Sequence, residues 1–242
     1  MSAGRTARER VRAELIREIT GIARRQLATE GAAGLSLRAV AREMGMVSSA
    51  IYRYFPSRDD LLTALIIDGY NAVGEAVERA DAKARADAEA GDGAEAGDGG
   101  FAGRWLAVCR AVRGWALEHP HEYALLYGSP VPGYTAPDDT VPAAVRDTVV
   151  LARIIGEAHA AGALEPAGPC PPALAGDMAR VRAAVSMDVP DEVVAPALTA
   201  WAGLYGTVSF ELFGQFNNVI EERAAYFDHT MTLLGRLAGL KA

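Results

Sequence analysis

Residues 35–58, LSLRAVAREMGMVSSAIYRYFPSR, constrain the fold of this chain more tightly than any other stretch. Val40, Ala41 and Met44 give a short run one apolar side, and Gly45 follows it. A Gly just past a helix end stops the helix, because Gly alone takes the left-handed backbone cheaply. Ser36 stands where it can cap this first helix. Met46 and Val47 complete a tight turn, and Ser48 or Ser49 caps a second short helix through Phe55. Pro56 ends that helix, and Ser57 with Asp59 and Asp60 opens a third, the acids lying at the positive end of its dipole. Two short helices joined by a Gly-containing turn suit a helix-turn-helix, whose second helix enters the major groove of DNA.

The flanking residues extend the pattern. Ile51-Tyr52, Tyr54-Phe55, Ser57-Arg58 and Leu61-Leu62 spell I–Y–x–Y–F–x–S–[KR]–x–x–L–L, preceded by Gly31, Ala41, Gly45 and Val47-Ser48. This segment, about residues 10–65, resembles the N-terminal domain of the TetR family of transcriptional repressors. The stretch with Trp115, His119 or His121, and Gly128 resembles the WHG-type C-terminal domain of a subset of those regulators. The resemblance implies a homodimer that binds double-stranded operator DNA and responds to a small molecule.

Charge supports a split chain. The net charge of −7 argues against nucleic-acid binding when taken alone, but residues 1–58 carry +6 and residues 59–242 carry −13. A basic head on an acidic body suits a DNA reader whose remaining mass must not cling to phosphate. Cys109 and Cys170 make neither a disulfide framework nor a metal-ligand spacing, so a reducing cytoplasm is the natural compartment. The Arg-rich N-terminus lacks the apolar core of a secretory signal, and no stretch approaches the ~20 uninterrupted apolar residues of a membrane span.

Periodicity predicts an all-α fold of about nine or ten helices, with a DNA-binding head at 8–56 and a helical effector-binding and dimerisation body at 57–242. Val11, Leu15, Ile19, Ile22, Ala23 and Leu27 share one face of a first helix that Gly31 ends. A long helix starts at Ser57 and frays into an Ala-rich stretch at 80–90. The acidic, Gly-rich residues 86–100 read as a flexible loop. Further helices are expected at about 101–119, from Pro120, and at about 141–161, 173–187, from an Asp191 cap, and 220–239.

For DNA contact the candidates are Ser36, Arg38, Val47, Ser48, Ser49, Tyr52, Arg53, Tyr54 and Arg58, with Val47 also readable as core. Serine hydroxyls and helix N-terminal N–H groups suit phosphate or base edges, phenols suit backbone oxygens, and Arg suits phosphate or guanine. For a mainly apolar effector the candidates are Trp105, Cys109, Trp115, Tyr123, Tyr127, Met178, Arg182 and Phe210, in a cavity between the 101–119, 141–161 and 173–187 helices. For the dimer interface they are Trp201, Leu204, Tyr205, Val208, Leu212, Phe227, Met231 and Leu234, on two long apolar helices that carry Gly203, Gly206 and Gly214. His119 and His121 lack a third ligand, so no metal and no cofactor is expected. Neither G-x-S-x-G, nor G-x-G-x-x-G after a strand, nor a Walker loop, nor H-E-x-x-H occurs, which leaves no catalytic motif. The resulting expectation is an effector-released repressor. The alternative is a DNA-binding regulator without a small-molecule effector, acting constitutively or under a protein partner.

Overall fold

The computed structural model describes residues 3–90, 100–165 and 168–241. Among the described residues it is all-α, with eleven α-helices, two short 3₁₀ turns, no strand and one isolated bridge between Leu164 and Leu240. The packing divides the chain into two compact units. One comprises residues up to Gly69 together with His119–Val141; the other comprises Tyr70–Glu118 and Pro142–Ala242.

The first unit contains α1 (Ala3–Gly34), α2 (Leu37–Glu43), α3 (Ser48–Ile51), the start of α4 (Arg58–Ala90) and α6 (Pro120–Tyr127). Its core follows from helical spacing. Ile19, Ile22, Ala23 and Leu27 of α1 meet Leu37, Val40 and Ala41 of α2, Ile51 of α3, Phe55, and Leu61, Leu62 and Leu65 of α4, all buried. Gly31 does not end α1 but kinks it at φ 69°, and a last turn runs on to Gly34. Arg24 ties three helices together: its guanidinium lies 2.8 Å from Asp68 of α4 and 3.1 Å from Glu122 of α6. Leu125, Val131 and Tyr134 pack on the same core, and the Tyr134 hydroxyl lies 2.9 Å from that of Thr63. The helix-turn-helix pattern closes near residue 56, whereas the packed unit takes in both the start of α4 and the distant segment 119–141.

The second unit contains the rest of α4, α5 (Phe101–Glu118), α7 (Val141–Ala144), α8 (Arg146–Ala160), α9 (Ala175–Val185), α10 (Asp191–Leu212) and α11 (Arg223–Leu237). Val145 separates α7 from α8 where the sequence suggested one helix. Asp191 is the first residue of α10 rather than its cap, which is Pro190, a residue whose fixed φ suits a helix start. Residues 86–90 are helical, continuing the Ala-rich end of α4, and the rest of the expected loop, 91–99, lies outside the described residues. α10 is long and apolar enough to cross a membrane by length and composition, at 22 residues, which the search for uninterrupted apolar runs missed. Val194, Ala200, Leu204, Tyr205 and Val208 bury one side of it within the unit.

Ion pairs fix the helices of this unit. Asp81 and Arg104 have side chains only 2% and 6% exposed and meet through two hydrogen bonds of 2.7 and 3.1 Å. Arg153 donates to the same carboxylate at 2.7 Å, and Arg104 also reaches Glu157 at 2.6 Å. Two further forked pairs, Arg113 with Glu211 and Arg110 with Asp228, join α5 to α10 and α11. Burial pushes the Asp81 carboxyl up, but the hydrogen bonds and charges of Arg104 and Arg153 outweigh it and hold it below the ordinary carboxylate range. Glu157 is lowered for the same balance of reasons, with Arg104 and Arg85 as its partners. A carboxyl with a lowered folded-state pKa stabilises the fold above its unfolded value and loses that contribution as pH falls through the folded value. The stability of the protein should therefore decline from about pH 5 downward. Asp81→Asn leaves Arg104 without its main partner and should cost about 3–5 kcal/mol in urea denaturation at pH 7, with a shallower acid dependence than the parent.

Candidate functional site

The tip of the first unit presents the recognition segment. Ser36 accepts a hydrogen bond from the Ala39 N–H at 3.4 Å and caps α2, and Gly45 turns the chain with φ 67°. The expected cap of the second helix is corrected. Val47 is the N-cap of α3, no side chain caps that helix, and Ser48 and Ser49 are its first two residues. α3 proper is one turn, Ser48–Ile51, continued by turn residues rather than by regular helix to Phe55. Val47 is also not core: it is 72% exposed, since the buried apolar position of this turn is Ile51.

Val47, Ser48, Ser49, Tyr52 and Arg53 thus stand together on the outside of the helix-turn-helix, with Arg38 and Arg42 of α2 also exposed. Arg38, Arg42 and Arg53 form no ion pair among the described residues, which leaves their charge for an outside anion. Tyr52 is 42% exposed. Tyr54 is different: its ring packs on the core of the unit and lies 5.2 Å beneath the Arg12 guanidinium, which also donates to the Arg53 carbonyl at 3.4 Å. Arg58 is engaged internally, donating to the Ala32 carbonyl at 2.7 Å and so holding the start of α4 to the end of α1. Ser57 forms a reciprocal cap with Asp60: its hydroxyl donates to the carboxylate at 2.6 Å and accepts from the Asp60 N–H at 3.1 Å.

The second unit holds an apolar pocket of about 440 Å³ of space free of atoms, part of it open to solvent. Trp105 of α5, Leu151 and Ile155 of α8, Val181 and Val185 of α9, and Val194, Leu198 and Trp201 of α10 line it, with Thr148 as a polar edge. Of the expected ligand residues only Trp105 lies here. Met178 packs in a small cluster with Val189 and Val194, and Arg182 is paired with Asp191. Cys109 and Trp115 are buried on α5, away from the lining, and burial pushes the Cys109 thiol well up, so it stays protonated. Tyr123 and Tyr127 pair with ring centres 4.9 Å apart on α6, which belongs to the first unit and not to this pocket. Phe210 is 52% exposed on α10. Sequence reasoning missed Val194, Leu198 and Trp201, although their spacing of four and three residues marks a stripe on α10 distinct from that of Leu204 and Val208.

The expected dimer stripe is also corrected. Leu204, Tyr205, Val208, Phe227 and Met231 are buried inside the protomer, and the Tyr205 hydroxyl bonds the buried Asp147. Leu212 and Leu234 are half-buried, the latter against Gly203, where an added Cβ would come within 2.7 Å of the leucine, and Trp201 lines the pocket. The apolar residues that α10 and α11 leave outside are Leu198, Phe210, Tyr226, Leu233 and Leu237, with Phe213 just past α10. On α10 they fall with Ala202 and Gly206 on one i, i+4 line.

Comparison with known proteins fits this division. A family model described as "Bacterial regulatory proteins, tetR family" matches residues 19–65, and one described as "Tetracyclin repressor-like, C-terminal domain" matches residues 105–234. The HTH-type transcriptional regulator Rv1816 of Mycobacterium tuberculosis is 40% identical over 245 residues, covering 95% of this chain and 93% of that protein. The chain belongs to the TetR family. The crystal structure of the putative regulatory protein SCO4313 superposes with a TM-score of 0.73 at 34% identity, covering 93% of this chain and 97% of the other. A Rhodococcus sp. RHA1 protein of unknown function gives 0.64 at 27% identity, covering 93% of each chain.

This TetR-family protein is therefore a DNA-binding transcriptional regulator, with its N-terminal match lying wholly inside the first unit. The C-terminal match opens at Trp105, closes in α11, and includes α6, which packs on α1. The local geometry separates two kinds of serine. Ser36→Ala should lower stability by about 1 kcal/mol through loss of a cap, whereas Ser48→Ala and Ser49→Ala should each stay within about 0.5 kcal/mol in urea denaturation.

Proposed function

We propose that the protein is a repressor that binds operator DNA as a homodimer and is released by a mainly apolar small molecule held in its second unit. The observation that carries this reading is the pairing of an outward recognition edge, Val47 to Arg53, with an apolar pocket in the other unit. DNA reading lies within residues 8–56, and effector binding and dimerisation lie within 57–242. Ser48, Ser49, Tyr52 and Arg53 are the base and phosphate contacts, supported by Arg38 and Val47. Ser36, Tyr54 and Arg58 act at one remove, holding the helices that present them.

Dimerisation is supported by the outer stripes of α10 and α11. Contiguous exposed apolar residues on two neighbouring long helices mark an interaction surface, and a two-fold pair of heads matches paired half-sites. The effector selects a state whose heads do not match the operator spacing, which requires that it bind this state better. The protein acts in the cytoplasm, where operator DNA and reduced Cys109 and Cys170 are found.

Fluorescence polarisation with labelled DNA from upstream of its own gene tests the reading. Binding that tightens with protein as a dimer and weakens on adding an apolar small molecule is the expected result; operator affinity indifferent to every such molecule would favour the constitutive alternative. Phe210→Asp combined with Leu233→Asp should give monomers by light scattering at micromolar concentration and lose operator binding. Tyr52→Phe should weaken operator affinity by about 1 kcal/mol at fixed salt, through loss of one phosphate hydrogen bond, with the head still folded.

A further inference from the structure

The pocket of the second unit has a distinctive polarity. Its lining is hydrocarbon and indole apart from Thr148, and no Asp, Glu, Lys, Arg or His lines it. The nearby Arg182 is paired with Asp191. Such a site penalises a charged ligand, whose lost hydration nothing in the wall replaces.

Two indoles border the pocket, and they differ. The Trp105 N–H donates to the Met231 carbonyl at 2.9 Å and is fully used. The Trp201 Nε1 is shielded from solvent and has no hydrogen-bond partner among the described residues. The Thr148 hydroxyl donates to the Asp147 carboxylate at 3.3 Å, so it offers no spare hydrogen. The wall therefore holds one strong donor without an acceptor, and a buried polar group of that kind is satisfied in nearly every protein.

We propose that this pocket takes an uncharged, mainly hydrocarbon molecule bearing a hydrogen-bond acceptor, a ketone, ester or ether oxygen, and that the Trp201 indole N–H is the donor that holds it. The inference rests on the reading of this pocket as the effector site and adds the chemistry of the effector.

The test uses the full-length protein labelled with ¹⁵N and titrated separately with 2-nonanone, nonane and nonanoate. The three tryptophans give three indole resonances, and Trp201→Phe identifies one of them. 2-Nonanone should move the Trp201 resonance downfield and bind roughly five-fold more tightly than nonane, the gain of one neutral hydrogen bond. Nonanoate should bind more weakly than the ketone, and Trp201→Phe should bring ketone and alkane to parity. An unmoved Trp201 resonance, equal affinity of ketone and alkane for the parent protein, tighter binding of nonanoate, or no binding of any of the three overturns the proposal. Should the variant fail to fold, the resonance and the affinities of the parent protein decide alone. Operator polarisation on the same samples separates the two readings: a Trp201 shift with operator still bound upholds the ligand chemistry and counts against effector release.

Discussion

Trp105 is the residue around which the second unit is built. Its indole is almost wholly buried, its N–H is spent on the Met231 carbonyl of α11, and it lines the pocket. The contact needs Gly235, where an added Cβ would lie 3.0 Å from the ring. With α5 and α11 drawn together there, the same face of α5 carries Arg110 and Arg113 into forked pairs with Asp228 and Glu211. Packing, hydrogen bonding and charge thus agree on a single placement of α5 against its neighbours, and consistency of that kind selects one arrangement over its competitors.

How much of this was legible in the sequence varied with the physics. The helix-turn-helix was readable because its signals are local: Gly45 takes a left-handed turn, Ser36 caps α2 and Ser57 caps α4. The start of α3 was not, because a one-turn helix headed by Val47 uses no side-chain cap, and two adjacent serines imitate one. Spacing also found the apolar positions of α10 but could not say which of its apolar sides faces inward. Leu204 and Val208 turned out to be core, and Phe210 was left outside. The pocket fell between these cases. Trp105 was recognised as an aromatic in a helical body, while Trp201 was assigned to the wrong face of the same helix.

α10 meets three demands at once. One stripe builds the core, a second lines the pocket through Val194, Leu198 and Trp201, and a third stays outside with Phe210. A helix with three apolar duties has little room for charge, which is why its composition resembles that of a membrane span. Its acidic residues stand at the ends, Asp191 and Glu192 at the start and Glu211 near the close, where the first two favour the helix dipole and the last is neutralised by Arg113.

The first unit is discontinuous in sequence, and this bears on how such regulators can be recombined. α6 comes fifty residues after the first unit's share of α4 ends, yet Glu122 meets Arg24 of α1 and Leu125 packs on the core formed by α1 to α4. A chimera joined at residue 65, where the N-terminal family pattern closes, would pair the α1 of one parent with the α6 of another. Exchange of specificity between relatives is then a two-segment graft: residues to Gly69 travel with His119–Val141, or the outer face of α1 must be rebuilt to accept a foreign α6.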